Sequence, residues 1–151
     1  MSDSNKPIAT GQLLAQFVGR TASSLSRRYA QDEPSAVRRL AQLRNALGQD
    51  PGTDLATWEI LDSFPEELRG RGDDPSRYES AAMVSLALFA WHQQSRRDVA
   101  MHQPGTQHTL GRALRVLAGG DTEPDKALTR RFVALGTSPT LDAALPQLRG
   151  L

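Results

Sequence analysis

Four adjacent arginine pairs punctuate the chain: Arg27-Arg28, Arg38-Arg39, Arg96-Arg97 and Arg130-Arg131. A guanidinium is planar and permanently charged, grips phosphate at two points and stacks on bases, so the chemistry on offer is non-covalent recognition of phosphate. Adjacent residues on a helix diverge by about 100°, which keeps at least one head of each pair in solvent. The richest stretch runs from Tyr78 to Leu117. There an apolar helix ends in His92-Gln93-Gln94-Ser95-Arg96-Arg97, and a polar break leads to Leu110-Gly111-Arg112-Ala113-Leu114. After Glu79, as far as Gly120, Asp98 is the sole carboxylate, whereas Arg96, Arg97, Arg112 and Arg115 all fall inside. An apolar support with an unopposed cationic rim is expected.

Other chemistries find less support. Cysteine is absent, which excludes disulfides, thiolate nucleophiles and cysteine-bound zinc and fits a reducing cytoplasm. His92, His102 and His108 lack the i, i+4 pairing of a zinc helix and have no HExxH-type carboxylate. Ser95, His102 and Asp98 form a triad only on paper, with no nucleophile elbow, oxyanion loop or sheet around them. Glu59, Asp62, Glu66 and Glu67 stand on a short, proline-broken helix where nothing would part their pKa values. The glycines at 70 and 72, and at 119 and 120, follow no strand and match no phosphate-loop spacing. Trp58 and Trp91 each sit in an apolar helical stripe and are expected in the core. No catalysis, metal or cofactor is expected.

The formal charge is only +1, so attraction to a polyanion must come from how the charges are arranged. Lys6 and Lys126 are the only lysines among eighteen basic residues, which leaves sixteen arginines, an excess that a GC-rich genome explains in part. The acids crowd into Asp50, Asp54, Glu59, Asp62, Glu66, Glu67, Asp73, Asp74 and Glu79. Between Thr10 and Gly48 only Asp32 and Glu33 face Arg20, Arg27, Arg28, Arg38, Arg39 and Arg44. One basic face and one acidic face are predicted, the acidic one able to meet a basic protein partner or simply to stay solvated.

The elements that must carry these groups read as all-α: an N-terminal helical sub-bundle packed on a smaller C-terminal one, with no strand-period alternation and no repeat. Residues 1–9 form a polar tail without the apolar run of a signal peptide, 10–102 the first bundle and 103–151 the second. No stretch approaches the ~20 apolar residues of a membrane span. Thr10 is expected to cap a helix bearing Leu14, Phe17, Val18 and Leu25 and ending near Tyr29. Asp32 or Ser35, with Pro34, opens the next, whose stripe is Ala36, Leu40, Leu43 and Leu47 and whose stop is Gly48. Asp54 caps a short helix around Leu55, Trp58, Ile60 and Leu61, and Pro65 breaks it. Ser76 or Asp74 caps a long helix to about Ser95, apolar all round from Ala81 to Trp91 and therefore central. Pro104 and Gly105 mark the boundary. Thr109 opens a helix through Leu110, Leu114 and Leu117 that Gly119-Gly120 stops. Thr122, with Asp125 as a capping-box-like partner, opens one with Leu128, Phe132 and Leu135. Ser138-Pro139 opens the last, through Leu141, Ala144, Leu145 and Leu148, where Pro146 is a possible bend.

Four blocks in order then carry a resemblance: Ser80-Ala81-Ala82 through Phe89-Ala90-Trp91-His92-Gln93-Gln94-Ser95-Arg96; Met101-His102; Thr109-Leu110-Gly111-Arg112-Ala113-Leu114; and Arg130-Arg131-Phe132. Together with Ser35-Ala36-Val37-Arg38-Arg39-Leu40 upstream and Leu141 to Leu151 downstream, they make the chain resemble the small subunit, the CasB family, of the type I-E CRISPR surveillance complex Cascade. The resemblance implies a helical, non-enzymatic protein that sits as a dimer beside the repeated backbone subunits and helps hold the crRNA–target DNA duplex and the displaced strand. It implies strand contacts at Arg38, Arg39, Arg77, Arg112, Arg130 and Arg131; the charge pattern adds Arg96 and Arg97. Members usually continue through a further helical segment rich in aromatics and arginine. This sequence stops inside an amphipathic helix, so a shortened or truncated member with an incomplete second sub-bundle is expected. The competing expectation is a helical protein–protein adaptor that binds no nucleic acid.

Overall fold

The computed structural model describes residues 9–53, 55–105, 107–118 and 125–151. The expected tail through Ile8, the Asp54 cap, the Gly119-Gly120 stop and the Thr122 cap lie outside the described residues. Within them are seven α-helices and no strand: α1 (Thr10–Ala30), α2 (Pro34–Asn45), α3 (Leu55–Leu61), α4 (Arg77–Gln93), α5 (Leu110–Leu117), α6 (Lys126–Gly136) and α7 (Leu141–Arg149), with a 3-10 turn at Glu66–Leu68. The chain divides into two compact units, one through His102 and one from Gln103 onward.

In the first unit α4 is the central element, packed on both α1 and α2. Its start is fixed by a reciprocal cap: the Ser76 hydroxyl accepts from the Glu79 amide at 3.1 Å, and the Glu79 carboxylate accepts from the Ser76 amide at 2.6 Å. The same carboxylate takes the Gly70 amide at 2.9 Å. Gly70 must be glycine, because a Cβ there would stand 2.1 Å from the Asp74 carbonyl oxygen. Since α4 is apolar on all sides, it buries Ala82, Met83, Leu86, Ala87 and Ala90 against partners around it. Tyr78 lies by Thr10 at one end and Gln93 bonds Ser26 at the other, so α1 and α4 run side by side in the same direction. Leu40 and Leu43 of α2 and Phe17 and Leu25 of α1 complete the core. Phe64 closes it edge-on to Phe17, with ring centroids 4.9 Å apart.

Several expected caps are displaced. The N-cap of α1 is Ala9, with no side-chain bond, and Thr10 is already helical. Glu33, not Asp32 or Ser35, precedes α2, with Pro34 in its first turn; Asp32 instead takes the left-handed turn conformation at φ 57°. Trp58 is not in the core: it is 63% exposed, because α3 is only two turns long and buries Thr57 and Ile60. Trp91 is half-buried, its indole donating to the Arg44 carbonyl at 3.2 Å.

The second unit is built differently. Thr109, Asp125 and Thr140 cap α5, α6 and α7, each side chain accepting a backbone amide. Asp125 is thus itself the cap of α6 rather than the third residue of a capping box, and Thr140 rather than Ser138 opens α7. α6 packs on α7, yet among the described large apolar residues of this unit only Leu114 and Leu145 are buried. Leu110, Val116, Leu117, Phe132, Val133 and Leu141 are exposed.

Candidate nucleic-acid interface

The predicted arginines fall into two groups, those held by the fold and those that face solvent. Arg28 ends α1 and is clamped onto the α1–α2 turn, donating to both Glu33 carboxylate oxygens at 2.7 and 2.5 Å and to the Ser35 hydroxyl at 2.7 Å. That clamp pulls the Glu33 carboxyl from its ordinary 4.5 down to about 2, through the Arg28 hydrogen bond first and the Ser35 bond second. Arg39, half-buried on α2, pairs with Glu59 of α3. Burial, then the nearby Arg28 and Arg38 charges, lower its pKa, although a guanidinium stays protonated at neutral pH. Arg38, one residue earlier, points outward and is exposed.

At the C-terminal end of α4 the rim is not unopposed, contrary to the sequence expectation. Arg97 reaches across to the α1–α2 turn, pairs with Asp32, donates to the Tyr29 carbonyl at 3.3 Å and lies 4.6 Å above the Tyr29 ring. The acid it meets is 65 residues away in sequence, outside the local window in which Asp98 stood alone. Arg96 is exposed, and its guanidinium has no partner among the described residues. Arg77 sits at the opposite end of α4, exposed, donating to the Tyr78 hydroxyl at 2.7 Å and lying 4.7 Å from the centre of that ring. This hydrogen bond is the main cause of a lowered Tyr78 pKa. Arg77 and Arg96 are therefore separated by the length of α4, roughly 25 Å for its 17 residues.

In the second unit Arg112 is exposed on the first turn of α5. Arg130 folds back on α6, donating to the Lys126 carbonyl at 3.2 Å, and Arg131 donates to the Gly150 carbonyl at 2.7 Å, closing the end of α7. Both remain exposed.

Sequence reasoning missed three features. Arg69 caps the α3 end, donating to the carbonyls of Leu61, Asp62 and Phe64. Trp58 forms one wall of a cleft of about 360 Å³ shared with Asp62, Asp73, Asp74 and Glu79, its indole fixed by a 2.6 Å bond to the Gly52 carbonyl. Gln93 is fully buried and bonds on all sides. The acid clustering of residues 50–79 was the available signal for the cleft; the other two had none. Among the described residues no group of three or more His, Cys, Asp or Glu side chains stands close enough to hold a metal ion.

The described residues are all-helical and present exposed guanidinium forks on their surface. Residues 39–151 match the family model of the CRISPR-associated protein Cse2. Among solved structures the chain is similar to CasB from Thermobifida fusca, with 33% identity over 91% of this chain and 74% of that one and a TM-score of 0.67. No curated protein matches. The chain belongs to the Cse2, or CasB, family: it is a non-catalytic subunit of the type I-E CRISPR Cascade complex and assembles with the other Cascade subunits.

Proposed function

We propose that this subunit grips the sugar–phosphate backbone of nucleic acid within Cascade, contacting crRNA, target DNA and the displaced strand and so stabilising the R-loop, and that it does so as a homodimer in the cytoplasm. The observation that carries the reading is the set of exposed arginines: Arg38, Arg77, Arg112, Arg130 and Arg131 on helices, and Arg96 on the loop that follows α4, are all solvent-facing. Arg39 and Arg97, engaged with Glu59 and Asp32, act in this reading mainly as the braces of that surface.

The physics required is modest. Exchanging a DNA duplex for a guide–target duplex is nearly balanced in free energy, so a few phosphate contacts tip it. Sequence is read by base pairing; the protein contacts phosphates, ignores base identity and weakens steeply with salt.

Gel shifts of the isolated protein at low salt test this. Weak, sequence-independent retention of oligonucleotides is expected. No retention, together with unchanged target-DNA affinity of a complex assembled with Arg38→Ala and Arg39→Ala, would refute strand holding. A second reading, a protein adaptor with no nucleic-acid role, draws on exposed Trp58 in its acidic cleft and on the exposed apolar residues of α5 and α6. Salt-insensitive binding to protein partners without oligonucleotide retention would favour it.

A further inference from the structure

The segment after α4 has no helical ladder of its own, yet it carries both arginines of the Arg96-Arg97 pair. One buried side chain ties its backbone at several points, and Arg97 anchors it a second time. Gln93, 1% exposed, is the last residue of α4 and uses both ends of its amide. Its Oε1 accepts from the Ser26 hydroxyl of α1 at 3.0 Å and from the Met101 amide at 2.9 Å. Its Nε2 donates to the Arg96 carbonyl at 2.5 Å and to the Val99 carbonyl at 2.9 Å. Two acceptances and two donations saturate a carboxamide. Three of the four bonds end on the backbone of residues 96–101, so one buried group fixes that loop backbone at three points. Ser95 makes the reversal at φ 62°, and the return brings His102 against α1, where a Cβ on Gly19 would lie 3.2 Å from its ring nitrogen.

The two arginines leave this loop differently. Arg97 is tied back to Asp32 and Tyr29, whereas the Arg96 guanidinium projects into solvent. We infer that Gln93 is a positioning residue: through its bonds to the loop backbone it presents Arg96 as a fixed fork for a nucleic-acid phosphate, with Arg97 as the second anchor of the loop. The inference deepens the backbone-binding reading above and rests on it. An arginine on a loose loop loses part of its binding free energy to ordering; one whose backbone is already bonded does not.

The test uses the full chain and mixed-sequence single-stranded DNA, titrated over a range of salt with Arg96→Ala, Gln93→Glu and the double variant. Gln93→Glu keeps an acceptor for Ser26 and Met101 but turns the donating end into an oxygen facing two carbonyls. Each single variant is expected to weaken binding about three-fold at low salt and to flatten the log K against log salt slope by about 0.7, the value of one phosphate contact on a single strand. The double variant should lose no more than either single one. Additive losses, or a wild-type slope for Gln93→Glu, overturn the inference. Hydrogen exchange supplies a readout independent of DNA: amides of α1, α2 and α4 should keep their protection while those of 96–101 lose theirs, and retained protection there also overturns it. If Gln93→Glu fails to fold, Gln93→Met, similar in length and apolar, takes its place with the same outcomes. Should Arg96→Ala have no effect while Arg38→Ala and Arg112→Ala do, this inference fails and the backbone-binding reading stands. Should none of them have an effect, the reading itself fails.

Discussion

The two units present their arginines on very different cores. In the first, a dense core of Phe17, Leu25, Leu40, Leu43, Phe64 and Leu86 supports α4, and Arg28, Arg39, Arg69 and Arg97 are engaged with acids or carbonyls of the same unit. In the second, among the described large apolar residues of three capped helices, only Leu114 and Leu145 are buried; Arg112 is exposed, and Arg130 and Arg131, also exposed, each donate to a carbonyl of the unit. Arginine count is thus a poor guide to phosphate contacts in the first unit, where the fold itself uses the guanidiniums as braces. In the second unit Leu110, Val116, Leu117, Phe132, Val133 and Leu141 are exposed rather than buried.

The largest separation between the units is expected in core truncations. Leu86→Ala, at a fully buried site on α4, should cost about 2–5 kcal/mol in denaturant unfolding, while Phe132→Ala, at a side chain 49% exposed, should cost under about 1 kcal/mol. Equal losses would erase the contrast. Caps come next. Thr140→Ala removes the acceptor of the Ala143 amide and should lower stability by about 1 kcal/mol, read as a fall in the melting temperature of the second unit. Smaller still is the Arg39–Glu59 pair, whose side chains are 28% and 53% exposed: a double-mutant cycle should return less than about 1 kcal/mol of coupling, declining with salt.

Finest is a pH effect confined to the first unit. Because Arg28 and Ser35 hold the folded-state Glu33 carboxyl near 2 instead of 4.5, its contribution is fully present above 4.5 and fades as pH falls toward 2. Glu33→Gln should therefore lower stability at neutral pH and flatten the acid limb in that window, the two curves converging as pH falls toward 2. A variant that follows the wild-type acid limb would show that the clamp contributes nothing.

Helix order, the central place of α4 and the Ser76 cap were legible because periodicity and a capping box are local signals, as with the apolar run from Ala81 to Trp91. Thr10, Asp32 and Ser138 were misplaced as caps because capping depends on backbone angles that neighbouring polar residues can equally well adopt. Trp58 deceived for another reason: in a helix of seven residues, apolar spacing does not define a face. The candidate surface was legible as residue types and not as pairings. Nothing local to Arg97 announces Asp32, and nothing around Gln93 announces Ser26, since both pairings join segments that only the folded chain brings together.

The central claim, that outward-facing arginines hold nucleic-acid backbone, is tested most directly by the salt dependence of target-DNA binding to Cascade assembled with wild-type subunit or with Arg38→Ala, Arg96→Ala and Arg112→Ala combined. A slope shallower by about 2 to 3 is expected for the triple variant, nearly one for each phosphate the missing guanidiniums would have neutralised, with the same change on unrelated sequences. Superimposable slopes would contradict it.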